Sequence, residues 1–165
     1  MKYKKYSEQE LKEMAIIPEG TYQFETMEVH EVDKYGVLLQ DRNGNDMAKL
    51  KLKIWDKEGR ERTVYTNLFG DGRMAFRTRH YADSIGEIES YEDETFSLIQ
   101  TIGAVGYCEV IVRKARPKDD GSGESWPESN DVRDFVKKDD QQKYRGVTAA
   151  KPAPAHDFAS DDVPF

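Results

Sequence analysis

The clearest pattern in the chain is the strict alternation of MAKLKLKIWD. Ala48, Leu50, Leu52 and Ile54 fall on one side, and Lys49, Lys51, Lys53 and Trp55 on the other. A period of two is a half-buried strand, not a helix. ERTVYTNLF alternates too, Val64, Thr66 and Leu68 against Thr63, Tyr65 and Asn67, and the intervening DKEGR predicts a hairpin around Gly59. An earlier run, TYQFETMEVHEV, starts in phase at Tyr22 and Phe24, but Met27 and Val29 are one residue out of step, which predicts a bulge or bend near Thr26. YCEVIVRKA returns to strand character with Cys108, Val110 and Val112 inward, and DVRDFVK reads as a last short strand. The period lengthens over residues 7–15, where Ser7 and Glu10 form a capping box and Leu11, Met14 and Ala15 share a face. It lengthens again in RMAFRTRHYADSIG, where Met74, Arg77, Tyr81 and Ile85 sit near helical spacing and Gly86 is a C-terminal stop. YEDETFSLIQTIG is a weaker helical or irregular element.

The order is therefore short helix, three strands, helix, two strands. Short antiparallel strands with one interrupting helix predict a mainly β protein built on a small antiparallel barrel, of which the five-stranded OB-fold is the commonest. From Asp139 the composition turns to Ala, Pro, Asp, Gln and Ser, too poor in large apolar residues to offset its ordering entropy. Residues 1–138 are expected to form the body, and 139–165 a disordered acidic tail.

The 165 residues suffice for one domain, and a formal charge of −7 marks a well-solvated chain. No run approaches the roughly 20 apolar residues of a membrane span, and the basic N-terminus lacks the apolar stretch of a signal peptide. A single cysteine, Cys108, cannot make an internal disulfide, so a cytoplasmic, reducing location is expected. The net charge hides segregation: Met47–Tyr81 holds nine basic and four acidic residues, while 82–100 holds six acids and no base. A net-acidic protein of this kind can still present a basic face to an anion.

Catalysis has little support. His30, His80 and His156 have no neighbouring nucleophile or repeated ligand spacing, GDGRM is not a phosphate loop, and Cys108 reads as a buried small hydrophobe. No cofactor or metal is implied, and an enzyme is not expected. The lysine face is more informative. Binding of single strands needs cations along the phosphates and aromatic rings under the bases. Lys49, Lys51, Lys53 and Arg62 are the phosphate candidates, and Trp55 and Tyr65 the stacking candidates. Arg73, Arg77 and Arg79 extend the path, although Arg77 could instead pair with the acidic stretch after Ala82.

The C-terminus, DFASDDVPF, offers an aromatic plug at Phe165 behind Pro164 and Val163, with Asp161 and Asp162 for a basic rim. DDVPF resembles the acidic tip of bacterial single-stranded-DNA-binding proteins, which end in aspartates followed by Ile-Pro-Phe or a similar tripeptide; this chain has Val in place of Ile. The body resembles a family of phage-encoded proteins of recombination and replication modules. The resemblance is carried by IPEGTYQF, KLKLKIWDKEGRERTVYTNL, RMAFRTRHYADSIG and WPESNDVRDFVK, together roughly residues 16–138. It implies an OB-type fold, single-stranded DNA binding in phage replication, recombination or repair, and recruitment of replication or recombination proteins through the tip. Strand annealing, or an adaptor role without DNA binding, are the alternatives, and the barrel edges leave a homo-oligomer open.

Overall fold

A computed structural model of the chain describes residues 1–146. At one edge of its sheet lies an antiparallel hairpin, β2 (Met47–Trp55) and β3 (Glu61–Phe69), in unbroken register from Met47 opposite Phe69 to Trp55 opposite Glu61. Leu50, Leu52, Ile54, Val64 and Leu68 are buried along it, as the alternation requires. Strand β1 (Gly20–His30) pairs with β2, and the register slips between Thr26 and Glu28. That is the expected bulge. It carries the inward set from Tyr22, Phe24 and Thr26 to Val29. On its other side β1 pairs with β4 (Val105–Arg113), which pairs with the final long strand.

Two residues, Arg116–Pro117 (β5), pair with Ser125–Trp126 (β6) in a small separate hairpin before that final strand, β7 (Ser129–Phe135). The main sheet is five-stranded and wholly antiparallel, in the order β3-β2-β1-β4-β7. A mainly β fold of OB-like order, with a helix between β3 and β4, is thus in place. Among the described residues no hydrogen-bonded ladder joins β3 to β7.

Helix α1 (Glu8–Met14) is preceded by the expected cap: the Glu10 N–H donates to Ser7 Oγ at 3.1 Å. Helix α2 (Phe76–Ser84) closes one side of the sheet, with Gly86 in the left-handed region (φ +82°) just past its end. The irregular element resolves into α3 (Ile88–Glu92) and a 3-10 turn, Leu98–Thr101. Tyr81 is fully buried against Phe24 and Phe135. It donates to Thr101 Oγ1 at 2.8 Å and shares a hydrogen bond with Thr26 Oγ1 at 2.6 Å. The helix approaches β4 so closely that a Cβ on Gly106 would stand 2.6 Å from Ser84 Oγ and 2.9 Å from the Phe24 ring.

Three loops share one construction. In Asp33–Val37, Asp41–Asn45 and Asp56–Arg60, the aspartate Oδ1 accepts the N–H groups two and four residues on. A glycine with positive φ sits at the fourth position of each (Gly36, Gly44, Gly59). The third is the expected hairpin turn; the first two fold the β1–β2 connection into a projecting arm.

Two expectations need correction. Val112 is only half-buried, because β4 ends beside the short, exposed start of β7. The body also does not stop at residue 138. A 3-10 segment, Lys138–Tyr144, follows β7. Its buried Gln141 donates through Nε2 to Ser84 O (2.8 Å), Ser84 Oγ (3.1 Å) and Val136 O (3.1 Å). The expected acidic tail beyond 146 lies outside the described residues.

Asp56 offers a test of the turn chemistry. Burial alone would push its carboxyl up, but the Arg60 N–H, the Arg60 guanidinium and Arg62 outweigh it and hold the group below its ordinary 3.8. A carboxyl lowered on folding stabilises the protein above its unfolded pKa, and that stability is lost as pH falls through the lowered value. Asp56→Asn should therefore be less stable than the parent at neutral pH, with the gap closing below about pH 3.8 in a chemical-denaturation series. Parallel curves at all pH values would contradict this.

Candidate nucleic-acid interface

Cross-strand register lays out the solvent face of the sheet as a small grid. β1 contributes Glu25, Glu28 and His30; opposite them in β2 stand Lys53, Lys51 and Lys49; opposite those in β3 stand Thr63, Tyr65 and Asn67. Acids, lysines and an aromatic flanked by polar residues thus occupy three adjacent strands, because side chains paired across antiparallel strands share a face.

The lysines are not equivalent. Lys51 Nζ lies 3.0 Å from Glu28 Oε2, and Lys53 Nζ 3.6 Å from Glu61 Oε2. Hydrogen bonding with Glu28 raises the Lys51 ammonium above its ordinary value, while His30 and Lys51 lower the Glu28 carboxyl. Lys49 is exposed and, among the described residues, has no carboxylate within 4.0 Å. Lys51 is thus neutralised from β1 and Lys53 from the start of β3, which leaves Lys49 as the member of the row without a carboxylate among the described residues.

Tyr65 is 64% exposed, directly opposite Lys51. It stands at the junction of two concavities of about 580 and 540 Å³, both of which it lines together with Arg113 and Asp131. They lie along the seam where β3 and β7 approach without pairing. At one end of the seam the N-terminal segment is tied in: Arg62 Nη2 donates to Ala15 O, and Asn130 Nδ2 donates to Ile17 O at 2.8 Å while its Oδ1 accepts the Ile17 N–H at 2.8 Å. Further along, Arg77 Nη2 donates to Thr66 Oγ1 of β3 and to Val132 O of β7 at 2.6 Å.

Several expected site residues are corrected by this geometry. Trp55 shares the lysine phase but is only 2% exposed, so it offers no face to a base. Arg62 pairs in phase with Val64, opposite Ile54; it is buried, 3.4 Å from Asp56 Oδ2 and bonded to Ala15 O, so it belongs to the scaffold. Arg77 is buried in the seam, and its acidic neighbour is Asp131 at 3.7 Å rather than a residue of the acidic stretch 82–100. It is Arg79 that pairs with the acidic stretch, through Glu92, with its guanidinium 5.6 Å from the Tyr91 ring centre. Arg73 is exposed in the turn before α2. The tip residues Asp161, Asp162, Val163, Pro164 and Phe165 lie outside the described residues.

Other residues enter that the sequence pattern did not single out. Arg113, at the end of β4, reaches the seam and donates from Nε to Asp131 Oδ2 at 2.6 Å. Two exposed aromatics stand on connecting loops, each beside a lysine: Tyr35 on the β1–β2 arm, with Lys34 Nζ 5.0 Å from its ring, and Trp126 on the β5–β6 hairpin, with Lys118 Nζ 4.7 Å away. Burial pushes the Cys108 thiol well up, which keeps it neutral and unreactive. Among the described residues no cluster of three His, Cys, Asp or Glu side chains is placed to hold a metal, and no helix is long and apolar enough to cross a membrane. No family model matches the chain, and no curated protein matches it.

The two tryptophans give a direct check of these placements. Trp126, 52% exposed, should carry the red-shifted, iodide-quenchable emission, and Trp55 a blue-shifted, protected one. Trp126→Phe should leave only the latter. Retention of strongly quenchable emission in that variant would place Trp55 at the surface.

Proposed function

We propose that this chain binds single-stranded DNA, as the phage replication and recombination proteins it resembles are expected to, and that it does so on the β2–β3 face. The observation that carries this reading is Tyr65. A large ring standing mostly exposed on the edge strand of a sheet face, opposite Lys51, keeps most of its surface in solvent. A flat ring beside a row of ammonium groups is what a base and its phosphate require, and the corresponding face of OB-type sheets takes oligonucleotides. Lys49, Lys51 and Lys53 would meet phosphates, with Lys49 the first to engage because no carboxylate among the described residues holds it. Arg73 would extend the positive field. The arm and the β5–β6 hairpin would flank the strand with Tyr35 and Trp126.

The chemistry proposed is binding, without catalysis, in the cytoplasm of a bacterial host. Recruitment of replication or recombination proteins through Asp161–Phe165 is part of the same proposal and rests on the sequence of the tip alone.

Fluorescence anisotropy with a labelled oligo-dT tests the reading. Tyr65→Ala should weaken binding by about 1–3 kcal/mol with little change in salt dependence. Lys49→Ala should reduce the log–log salt slope by about 0.7, the loss of one phosphate contact. Glu28→Gln should tighten binding, because it frees Lys51 from its carboxylate partner. Absence of binding at low salt, or indifference to Tyr65→Ala, would overturn the proposal.

A further inference from the structure

Where β3 and β7 part, the seam concavity of about 540 Å³ gathers charge from four separate elements: Lys49 of β2, Arg77 of α2, Arg113 of β4 and Asp131 of β7. Three cations line it against one carboxylate, and although Asp134 also acts on Arg77 from β7, positive charge is in excess. Asp131 is already committed, 2.6 Å from Arg113 Nε and 3.7 Å from Arg77 Nη2. Arg113 is half exposed, and among the described residues only its Nε is engaged, so the donors of its terminal nitrogens face no protein acceptor. Lys49 likewise has no carboxylate partner there. Arg77, further in, has no hydrogen-bond partner for its own Nε among the described residues. Tyr65 and Asn67 form the β3 wall of the same concavity.

Such a gathering of like charge is unfavourable by itself. Like charges are brought together at a sheet edge, where water is partly displaced and repulsion is screened less than on an open surface. The chemistry that relieves it is a compact anion with several acceptor oxygens, able to take both the forked guanidinium and the ammonium; a phosphate group fits that description. Burial and the neighbouring Arg113 lower the Arg77 pKa, and Asp131 and Asp134 counter this only in part. That is the electrostatic state in which a further anion is welcome.

We infer that this seam concavity is an anchoring subsite for one nucleotide of a bound strand: its phosphate is held by Lys49 and Arg113, over the buried charge of Arg77, and its base lies against Tyr65. The inference rests on the single-strand-binding reading and adds a fixed starting point to it. A strand would be pinned at the seam and would run from there over the lysine row, instead of lying anywhere along a uniform basic face. Asp131 acts as a positioning residue that aims Arg113 and holds down the charge of the site.

The test uses NMR titration of the nitrogen-15-labelled full chain with thymidine 3′,5′-bisphosphate and, separately, with inorganic phosphate. The bisphosphate should shift the amides of Tyr65, Asn67 and Arg113. Inorganic phosphate should shift Arg113 and the Lys49 region but leave Tyr65 in place, which distinguishes a nucleotide from free anion. Arg113→Gln and Lys49→Gln, both at exposed positions, should each weaken bisphosphate binding several-fold. Asp131→Asn should strengthen it, since it removes the competing carboxylate while keeping an acceptor for Arg113. A bisphosphate that leaves the seam amides unmoved, or an Asp131→Asn variant that folds and weakens binding as Arg113→Gln does, would overturn the inference. Parallel titration with oligo-dT separates the two proposals. If oligo-dT binds while the bisphosphate leaves the seam untouched, the subsite falls and single-strand binding stands. If the bisphosphate binds at the seam and oligo-dT does not bind, the concavity takes a nucleotide but anchors no strand, and the strand-binding reading falls together with the anchoring role built on it. If neither binds, both fall.

Discussion

A five-stranded antiparallel sheet has two free edges, and here both are managed by one buried guanidinium. Arg77 reaches from α2 into the gap between β3 and β7, bonding Thr66 on one edge and the Val132 carbonyl on the other, with Asp131 as its counter-charge. An edge strand left open presents unpaired backbone groups to other chains. The Arg77 side chain spans the two edges, satisfying the Val132 carbonyl on one and the Thr66 hydroxyl on the other without requiring the strands to pair. Removing one member of a buried charged set costs about 3–5 kcal/mol, because its partners are left uncompensated. The seam is therefore a place where the chain cannot easily vary. Asn130 and Arg62 do the equivalent work at the other end, where they hold Ala15 and Ile17 between the same two strands.

That solution has a consequence for the surface. Because the seam is bridged by side chains instead of being zipped by backbone pairing, it stays concave, and the residues on its lips remain accessible. Tyr65 is one of them. The lysine row beside it is asymmetric: glutamates of β1 and the start of β3 neutralise Lys51 and Lys53, whereas Lys49, without a carboxylate partner among the described residues, lines the seam. The positive potential of the face is thus displaced from the centre of the lysine stripe towards β3 and Arg113. A net charge of −7 does not oppose this. The acids that produce it are concentrated elsewhere, notably around α3, where Arg79 is spent on Glu92.

Much of the fold can be read from spacing. The β2–β3 hairpin, the bulge near Thr26, the Ser7 cap and the glycine after α2 all follow from period, parity and turn chemistry. The two arm loops were equally legible, since Asp33/Gly36 and Asp41/Gly44 repeat the spelling of Asp56/Gly59. The site was less so, for distinct physical reasons. Arg62 carries its correction within the sequence: three residues before Tyr65, it has the opposite parity and shares the inward phase of Val64. Trp55 carries no such signal, because alternation gives the side of a sheet on which a residue lies but not what covers that side near the strand's end. Arg77 sits at a helical position whose neighbours in space, Thr66, Asp131 and Val132, are brought to it only by the meeting of β3 and β7. Arg113 and Asp131 lie 18 residues apart in sequence and become one ion pair by the same closure.

The central claim is that the ring of Tyr65, at the lip of the seam, is the platform on which a single strand rests. Photo-crosslinking tests it without any substitution. An oligo-dT carrying one 5-bromodeoxyuridine would be irradiated with the intact chain and the adduct mapped by peptide mass spectrometry. An adduct on Tyr65 is the expected result. Adducts confined to the α2–α3 surface around Tyr91, or to Trp126 alone, would contradict it.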